Sequence, residues 1–262
     1  MDLGDYDIAL DVKDIERTAD FYLAMGFEKI GDGSAEIGVV AMRRGDCRIC
    51  LYGKGHLDPA RTQLIFWDGD VPAICERLKA QGVTMFRDIK IDDEGGSAFM
   101  ILDPDDNPIF FIVMKTHFKH DPKFATPARP RPGPMTIDPV LGWFEFALDV
   151  KDIARSEAFY RKLGFEPVNA NSTGTQLSMQ CGECRIGLFM GHLQPPGQPQ
   201  LIFWQGDVEA VARKTEGEGP VWNIAPRHDA SNGHRSAGLF DPDGVFLYFI
   251  NIPGMERRGL AA

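Results

Sequence analysis

Two pairs of cysteines have the C-x-x-C spacing that is typical of zinc and redox sites. They are Cys47 with Cys50, and Cys181 with Cys184. The halves of the chain repeat each other, however, and the repeat aligns Cys47 with Cys184 but Cys50 with Gly187. Each pair also falls on or beside a predicted strand, where residues three apart point to opposite faces. We therefore favour structural thiols in a reducing compartment, with a metal or redox site as the alternative.

A histidine recurs in the tripeptide Gly-His-Leu, as His56 and His192. Imidazole titrates near neutral pH, so either residue is a candidate general acid or base near a ligand. Inherited loop packing explains the recurrence as well, and we favour that interpretation. His228 and His234 lie in the stretch 220–235, which differs most between the two halves. We expect both to be exposed, and we expect this stretch to be a loop that sets ligand specificity.

Other catalytic motifs are absent from the sequence. No G-x-S-x-G nucleophile elbow occurs. The glycines of 53–55 are followed by Asp58 where a dinucleotide fingerprint needs another glycine. Residues 103–107 begin like a calcium loop, but Pro108 stands at the place of its glycine. We therefore expect 103–107 to form a turn between two strands.

Composition and charge exclude several classes of protein. The chain has 262 residues, of which 44% are hydrophobic and 25% charged, as in a soluble globular protein. Its net charge of −10 does not suit a nucleic-acid binder. No apolar run approaches the roughly 20 residues of a membrane helix, and the acidic N-terminus does not suit a targeting peptide. We expect a cytoplasmic protein with no nucleic-acid or membrane partner.

The elements follow from a repeated stretch. Residues 8–15 read IALDVKDI and residues 146–153 read FALDVKDI. Each stretch begins with the alternation of a strand and contains near its end an aspartate, Asp14 or Asp152, which can cap a helix. The order strand, helix and three strands then recurs after Gln63, where Asp70 is the cap. The sequence predicts an α+β fold of four β-α-β-β-β modules that form two cup-shaped mixed sheets with helices outside.

The segment between the halves has a different composition. It contains six prolines with interspersed lysines and arginines, which predicts a semi-rigid extended linker. A basic binding arm is the alternative to a solvated linker. The expected organisation is domain 1 at 1–114, a linker at 115–141, domain 2 at 142–252 and a C-terminal tail at 253–262.

The repeated motifs resemble those of the vicinal oxygen chelate superfamily, which includes glyoxalase I, bleomycin-resistance proteins and extradiol dioxygenases. The matching residues are 12–15, 21–22, 26–27 and 102–107 in the first half, and 150–153, 159–160, 164–165 and 240–245 in the second. The resemblance covers nearly the whole chain outside the linker and the tail. It implies that each pair of modules curls into an eight-stranded cup that holds a ligand or a metal.

The resemblance also implies where metal ligands would lie. Metal-using relatives draw His, Glu and Gln from four places, which fall here on Asp7, Cys50, Gln63 and Phe110 in domain 1 and on Glu145, Gly187, Gln200 and Tyr248 in domain 2. Aromatic residues therefore stand at the place of the eighth-strand glutamate. A divalent metal needs three or four donors at fixed geometry. We expect no metal and no other cofactor, with a divalent metal as the alternative.

Strand alternation adds one tryptophan to each expected ligand set. Gln63 and Trp67 share one face of their strand, as do Gln200 and Trp204. Each cup would then combine a carboxylate, an amide, an indole and a second aromatic ring, which suits a flat or cationic organic molecule. The alternatives are that the tryptophans fill the core, that the amides satisfy backbone groups, and that Asp7 and Glu145 are exposed charges at strand ends.

Two functions remain open at this point. The first is a metal-independent small-molecule binding protein of the bleomycin-resistance type, binding an aromatic or cationic ligand. Its two domains would mimic the homodimer of single-domain relatives, and the chain would be a monomer or a homodimer. The second is an enzyme, either a glyoxalase-like lyase or isomerase or an extradiol-type dioxygenase. For that enzyme Glu145, Asp7, His56 and His192 are the candidate catalytic residues.

Overall fold

The structure is a computed structural model that describes residues 2–114, 137–168, 174–193, 196–215 and 222–255. Within these ranges the chain forms two eight-stranded sheets. The first domain contains β1 (Gly4–Val12), α1 (Ile15–Ala24), β2 (Glu28–Ser34), β3 (Val39–Arg44), β4 (Cys47–Gly53), β5 (Gln63–Asp68), α2 (Val71–Ala80), β6 (Met85–Ile91), β7 (Ser97–Leu102) and β8 (Pro108–Val113). The second contains β9 (Gly142–Asp149), α3 (Ile153–Lys162), β10 (Glu166–Pro167), β11 (Gln176–Cys181), β12 (Cys184–Phe189), β13 (Gln200–Gln205), α4 (Val208–Thr215), β14 (Trp222–His228), β15 (Arg235–Phe240) and β16 (Phe246–Asn251).

Both sheets have the same topology. The strand order is β2-β3-β4-β1-β5-β8-β7-β6 in the first sheet and β10-β11-β12-β9-β13-β16-β15-β14 in the second. In the first sheet β1 pairs antiparallel with β5, and the flanking pairs β1–β4 and β5–β8 are parallel. Each sheet is therefore two β-α-β-β-β modules joined at their first strands. This confirms the predicted α+β fold of tandem modules.

The predicted helix caps are present. The side chains of Asp14, Asp70 and Asp152 accept hydrogen bonds from backbone N–H groups in the first turns of α1, α2 and α3. After α1 the chain turns at Gly26, whose φ of 86° is a conformation that glycine adopts without strain. These local signals determine where each helix begins and ends.

Alternation along the strands separates two apolar layers. Ile8 and Leu10 of β1 belong to the large core under the helices, whereas Ala9 belongs to a separate cluster on the other face of the sheet. Cys47 and Cys50 of β4 also lie on opposite faces of the sheet, because residues three apart in a strand point to opposite sides. None of the five cysteines forms a disulfide, and their structural role stays a prediction.

The two domains pack against each other through reciprocal hydrogen bonds. The Tyr22 hydroxyl of α1 donates to Asp241, in the turn before β16, over 3.0 Å. The equivalent Tyr160 hydroxyl of α3 donates to Asp103, in the turn before β8, over 2.9 Å. These turns are the predicted D-P-D turns. Each turn therefore also holds the first helix of the opposite domain.

Three local features differ from expectation or lie beyond what is described. The first 22 residues of the expected linker, 115–136, lie outside the described residues. Its last five residues, 137–141, are packed only in part: Asp138 forms an ion pair with Arg44 at 2.8 Å and Leu141 is buried, whereas Ile137 is 51% exposed. Within the divergent stretch 220–235, where we expected a loop, the described residues 222–235 form mainly the edge strand β14 and the turn that follows it. Among the described residues no helix has the length and apolarity needed to cross a bilayer.

Candidate functional site

The cup face of the second sheet, called cup 2, is built around a buried ion pair. Glu145 lies in β9 and is fully buried, and the Arg185 Nε of β12 donates to its Oε2 over 3.1 Å. Burial raises the pKa of Glu145, and the Arg185 guanidinium and a hydrogen bond from Ser178 oppose that rise. The carboxylate is therefore held by a cation from its own sheet. This contradicts the alternative in which Glu145 is an exposed charge at a strand end.

Two tryptophans stack beside this ion pair. Trp143 and Trp204 have ring centroids 5.4 Å apart and planes inclined by 20°. The Arg185 guanidinium carbon lies 4.0 Å from the centroid of the Trp143 ring, a cation–π arrangement. Cup 2 thus contains a column of guanidinium, indole and indole. Trp204 faces the cup as predicted.

Two glycines in cup 2 make room for larger neighbours. A Cβ on Gly187 would lie 2.4 Å from Glu145 Oε1 and 2.5 Å from Phe189 Cε2. A Cβ on Gly238 would lie 2.4 Å from Phe246 Cζ. The space above both glycines is therefore filled by side chains of the same cup.

The remaining predicted residues of cup 2 lie on the expected face. Gln200 begins β13 and is buried, and Tyr248 of β16 is half-buried and packs against the cup 2 cluster. The rings of Phe246 and Tyr248 are stacked with centroids 6.2 Å apart. The structure thus brings Glu145, Gln200, Trp204 and Tyr248 to one surface. Their role in binding stays a prediction.

The cup face of the first sheet, called cup 1, has equivalent positions with different residues. Asp7 of β1 and Gln63 of β5 are each 2% exposed, so Asp7 is not the exposed charge that one interpretation allowed. The Gln63 amide donates to the Pro59 carbonyl over 2.6 Å, so its nitrogen satisfies a backbone group, as another alternative proposed. Trp67 is buried and Phe110 is half-buried, and both belong to the cup 1 cluster.

A thiol and an arginine complete the polar part of cup 1. Burial raises the pKa of Cys50 to about 12, so this side chain is a neutral thiol at physiological pH. Arg48, at the position of Arg185, forms ion pairs with Asp5 at 3.7 Å and with Glu183 of domain 2 at 2.5 Å. In cup 2, Arg185 pairs with a carboxylate of the same cup. In cup 1, the equivalent Arg48 pairs with one carboxylate from each domain.

The two repeated histidines lie in exposed loops. The His56 ring covers Gly38, where an added Cβ would lie 2.3 Å from its Cε1 atom. The His192 Nε2 is 2.9 Å from the Thr175 hydroxyl. These contacts are loop packing, the interpretation that we favoured. A role for either histidine in proton transfer stays a prediction.

Sequence reasoning missed Trp143 and Arg185. The candidate polar residues were chosen at the positions where relatives place metal ligands, and neither Trp143 nor Arg185 is at such a position. Alternation was the available signal, because Trp143 stands two residues before Glu145 on the same face. Arg185 is adjacent to Glu145 across the parallel pair, whose register sets Ile186 opposite Phe146.

Comparison with known proteins agrees with this architecture. The family model described as Glyoxalase/Bleomycin resistance protein/Dioxygenase superfamily matches residues 7–111 and 141–249. The chain belongs to this superfamily. The match of one model to both halves confirms the expected tandem arrangement of two vicinal oxygen chelate units.

Solved structures of this superfamily share the fold at low sequence identity. A Mn(II)-bound glyoxalase from Novosphingobium aromaticivorans is 15% identical, with a TM-score of 0.57 over 94% of this chain and 80% of that chain. A catechol 2,3-dioxygenase is 17% identical, with a TM-score of 0.58 over 97% and 90%. A 2,3-dioxygenase from Pseudomonas sp. KL28 is 16% identical, with a TM-score of 0.60 over 97% and 92%. No curated protein matches the sequence.

The donors present at the metal places of the superfamily do not fit a divalent metal. Among the four metal places of cup 2 the only carboxylate, Glu145, is already paired with Arg185, and Gly187 brings no donor. In cup 1 the second place holds a neutral thiol, Cys50, and the fourth a phenyl ring. No cluster of three His, Cys, Asp or Glu side chains suited to a metal occurs in the described ranges. We therefore derive no step through a metal.

Proposed function

We propose that this superfamily member is a metal-independent small-molecule binding protein that takes an aromatic or cationic organic ligand in a cup. The observation that carries the proposal is the Glu145–Arg185 pair. The glutamate that would begin a metal site is buried against a guanidinium, and a dication beside Arg185 would be repelled. The aromatic side chains that remain supply apolar area and stacking surfaces.

Titration calorimetry with a planar cation and its neutral analogue tests this proposal. N-methylquinolinium and 1-methylnaphthalene have similar shape and differ in charge. We expect at least one of them to bind the chelator-treated protein with a Kd in the micromolar range. Failure of both, and of larger planar compounds, to bind at high micromolar concentration would overturn the proposal.

A second candidate is an enzyme of the superfamily, a glyoxalase-like lyase or isomerase or an extradiol-type dioxygenase. The structural relatives favour it, because they are a Mn(II)-bound glyoxalase and two 2,3-dioxygenases. Elemental analysis of protein purified without chelator distinguishes the two candidates. Stoichiometric metal that is lost in Glu145→Ala, and kept in a control such as Glu166→Gln at an exposed position, would overturn the metal-independent proposal and favour the enzyme.

The setting of the protein is part of the proposal. None of the five cysteines forms a disulfide, which is compatible with a reducing cytoplasm. The reciprocal contacts between α1, α3 and the two D-P-D turns are those expected of a domain pair that replaces a homodimer. Light scattering after size-exclusion chromatography would show whether the chain is a monomer or associates further.

A further inference from the structure

The C-x-x-C motif of domain 2 spans a hairpin turn. Cys181 ends β11 and Cys184 begins β12, so that only Gly182 and Glu183 separate them. The φ of Gly182 is 55°, which suits the first central position of a type II′ turn. The register of the antiparallel pair sets Cys181 directly opposite Cys184. The expectation that residues three apart point to opposite faces is therefore wrong for this pair, because the chain reverses between them.

Both thiols lie on the helix side of the second sheet. Residues directly opposite each other in an antiparallel pair share a face. Cys184 is buried in the large core under the helices, and Cys181 packs against the same core. Directly opposite Cα atoms are roughly 4.5–5.5 Å apart, within the roughly 4.4–6.8 Å that a disulfide spans. The backbone at this turn therefore has the spacing that a disulfide needs.

The remaining cysteines are arranged differently. Cys47 and Cys50 belong to one strand and lie on opposite faces of the first sheet. The Cys75 thiol lies in α2, where its Sγ is 3.8 Å from Met85 Sδ. In the equivalent turn of domain 1 the residue opposite Cys47 is Arg44, not a cysteine. The strand register thus sets two cysteines opposite each other in domain 2, and domain 1 supplies a matched control.

The two thiols of the pair differ in exposure. Cys181 is half-buried, with its Sγ 4.0 Å from the Leu163 carbonyl oxygen, whereas Cys184 is 2% exposed. Burial raises the pKa of both thiols, so few of them are thiolates at neutral pH and exchange with a disulfide is slow. An oxidant from solution therefore reaches Cys181 first, and Cys184 is the second thiol to react.

We propose that Cys181 and Cys184 are a redox-sensitive pair, which a small-molecule disulfide of the glutathione class converts to a reversible disulfide. The Cys181 thiolate attacks one sulfur of the oxidant, whose S–S bond breaks, and a mixed disulfide forms as one thiolate leaves. The Cys184 thiolate then attacks the Cys181 sulfur and releases the second thiolate. The two protons lost by the cysteines end on the two released thiols, so the pair is oxidised by two electrons and the oxidant reduced by two. Excess reduced thiol reverses both steps. The site is independent of the ligand of the proposed function.

The turn that this disulfide would close also contacts domain 1. Glu183, between the two cysteines, forms an ion pair with Arg48 of β4 at 2.5 Å. A bond between Cys181 and Cys184 joins the two ends of that turn and restricts the unfolded chain. We expect the oxidised protein to have a Tm about 2–5 °C above that of the reduced protein.

Mass spectrometry of the full chain after treatment with oxidised glutathione tests the proposal. The treatment lasts on the order of hours, the remaining thiols are alkylated, and trypsin then cuts the chain. The tryptic peptide 163–185 contains both cysteines, whereas Cys47 and Cys50 fall in separate peptides. We expect peptide 163–185 to be lighter by two hydrogen atoms, to carry neither glutathione nor the alkyl group, and to return to its reduced mass after dithiothreitol. Thermal melts of the oxidised and reduced protein measure the shift in Tm.

Single variants separate the roles of the two thiols. Cys184→Ala should trap glutathione on Cys181, because the second thiol is missing. Cys181→Ser should leave Cys184 unmodified, because that thiol is buried, and should abolish the shift in Tm. Cys47→Ala, the matched control in domain 1, should form the disulfide as the wild type does. If Cys184→Ala fails to fold, Cys181→Ser and the wild type still decide the matter.

Several results would contradict the proposal. A wild-type peptide 163–185 that stays reduced, or that keeps glutathione instead of forming the disulfide, would overturn the redox pair. Glutathione on Cys184 in Cys181→Ser would overturn the order of attack. A disulfide that forms without any rise in Tm would overturn its effect on the turn.

Discussion

The Tyr22 hydroxyl donates across the domain boundary to the Asp241 carboxylate, 3.0 Å away. The same carboxylate accepts the backbone N–H groups of Asp243 and Val245, so it both shapes its own turn and holds the opposite helix. Burial raises the pKa of Asp241 to about 6, although these hydrogen bonds favour the charged form. The contact between the domains is therefore linked to pH.

Stability is expected to increase as the pH falls from about 7 to about 5. The folded state holds a proton on Asp241 more tightly than the unfolded state does, because its pKa is about 6 against a reference of 3.8. The stability that this proton supplies is fully present below the unfolded pKa and is lost as the pH rises through about 6. The expected change is on the order of 1–3 kcal/mol. Urea unfolding at several pH values measures it.

Asp241→Asn provides the control for this pH dependence. The amide oxygen can keep the two backbone hydrogen bonds, and the Tyr22 hydroxyl can accept from the amide nitrogen. The variant should show a flatter profile between pH 5 and 7, whereas Asp20→Asn, at an exposed position of α1, should keep the wild-type profile. An unchanged slope in Asp241→Asn would contradict the assignment.

Removing either cross-domain hydroxyl should destabilise the whole chain. Tyr22→Phe and Tyr160→Phe each leave a buried carboxylate with one hydrogen bond fewer, which costs about 1–3 kcal/mol of unfolding free energy. Tyr248→Phe, at a half-buried cup position, should change it by less than about 0.5 kcal/mol. Chemical denaturation followed by circular dichroism gives the three values. A cost that is equally small in all three variants would show that these contacts do not hold the domains together.

Breaking the buried ion pair of cup 2 should cost more than replacing it. Arg185→Ala leaves Glu145 buried without its cation, with an expected loss of about 3–5 kcal/mol. The double variant Glu145→Gln with Arg185→Met removes both charges and keeps most of the volume. We expect it to recover at least half of the loss, as judged from thermal and urea unfolding. Equal stability of the single and double variants would argue that the charges do not interact.

Gly238→Ala should destabilise domain 2 because the added methyl group collides with the Phe246 ring. Overpacking of this kind costs about 1–3 kcal/mol. Phe246→Leu in the same chain removes the ring and should restore part of the loss. A matched substitution in open space, Gly244→Ala, tests only the backbone, since its φ of 94° is strained for alanine. If Phe246→Leu does not suppress Gly238→Ala, steric filling by the ring is not the cause.

Much of the fold could be predicted because its signals are local. Period-2 alternation assigned Ile8 and Ala9 to opposite layers, and aspartates at the helix starts located three caps. The partner of Arg185 and the burial of Asp7 could not be predicted, because both depend on how neighbouring strands align. The contact of Tyr22 with the other domain could not be predicted either, because no local sequence pattern indicates which surfaces of the two domains pack together.

The Tyr22–Asp241 and Tyr160–Asp103 contacts also have a consequence for inheritance. In a homodimer, one gene encodes both cups, so every substitution alters both sites at once. Here the two halves are separate stretches of one chain, held face to face by these contacts. Equivalent positions can therefore hold different residues, as Trp143 in domain 2 and Asp5 in domain 1 do. Each half can therefore accumulate substitutions that leave the other half unchanged.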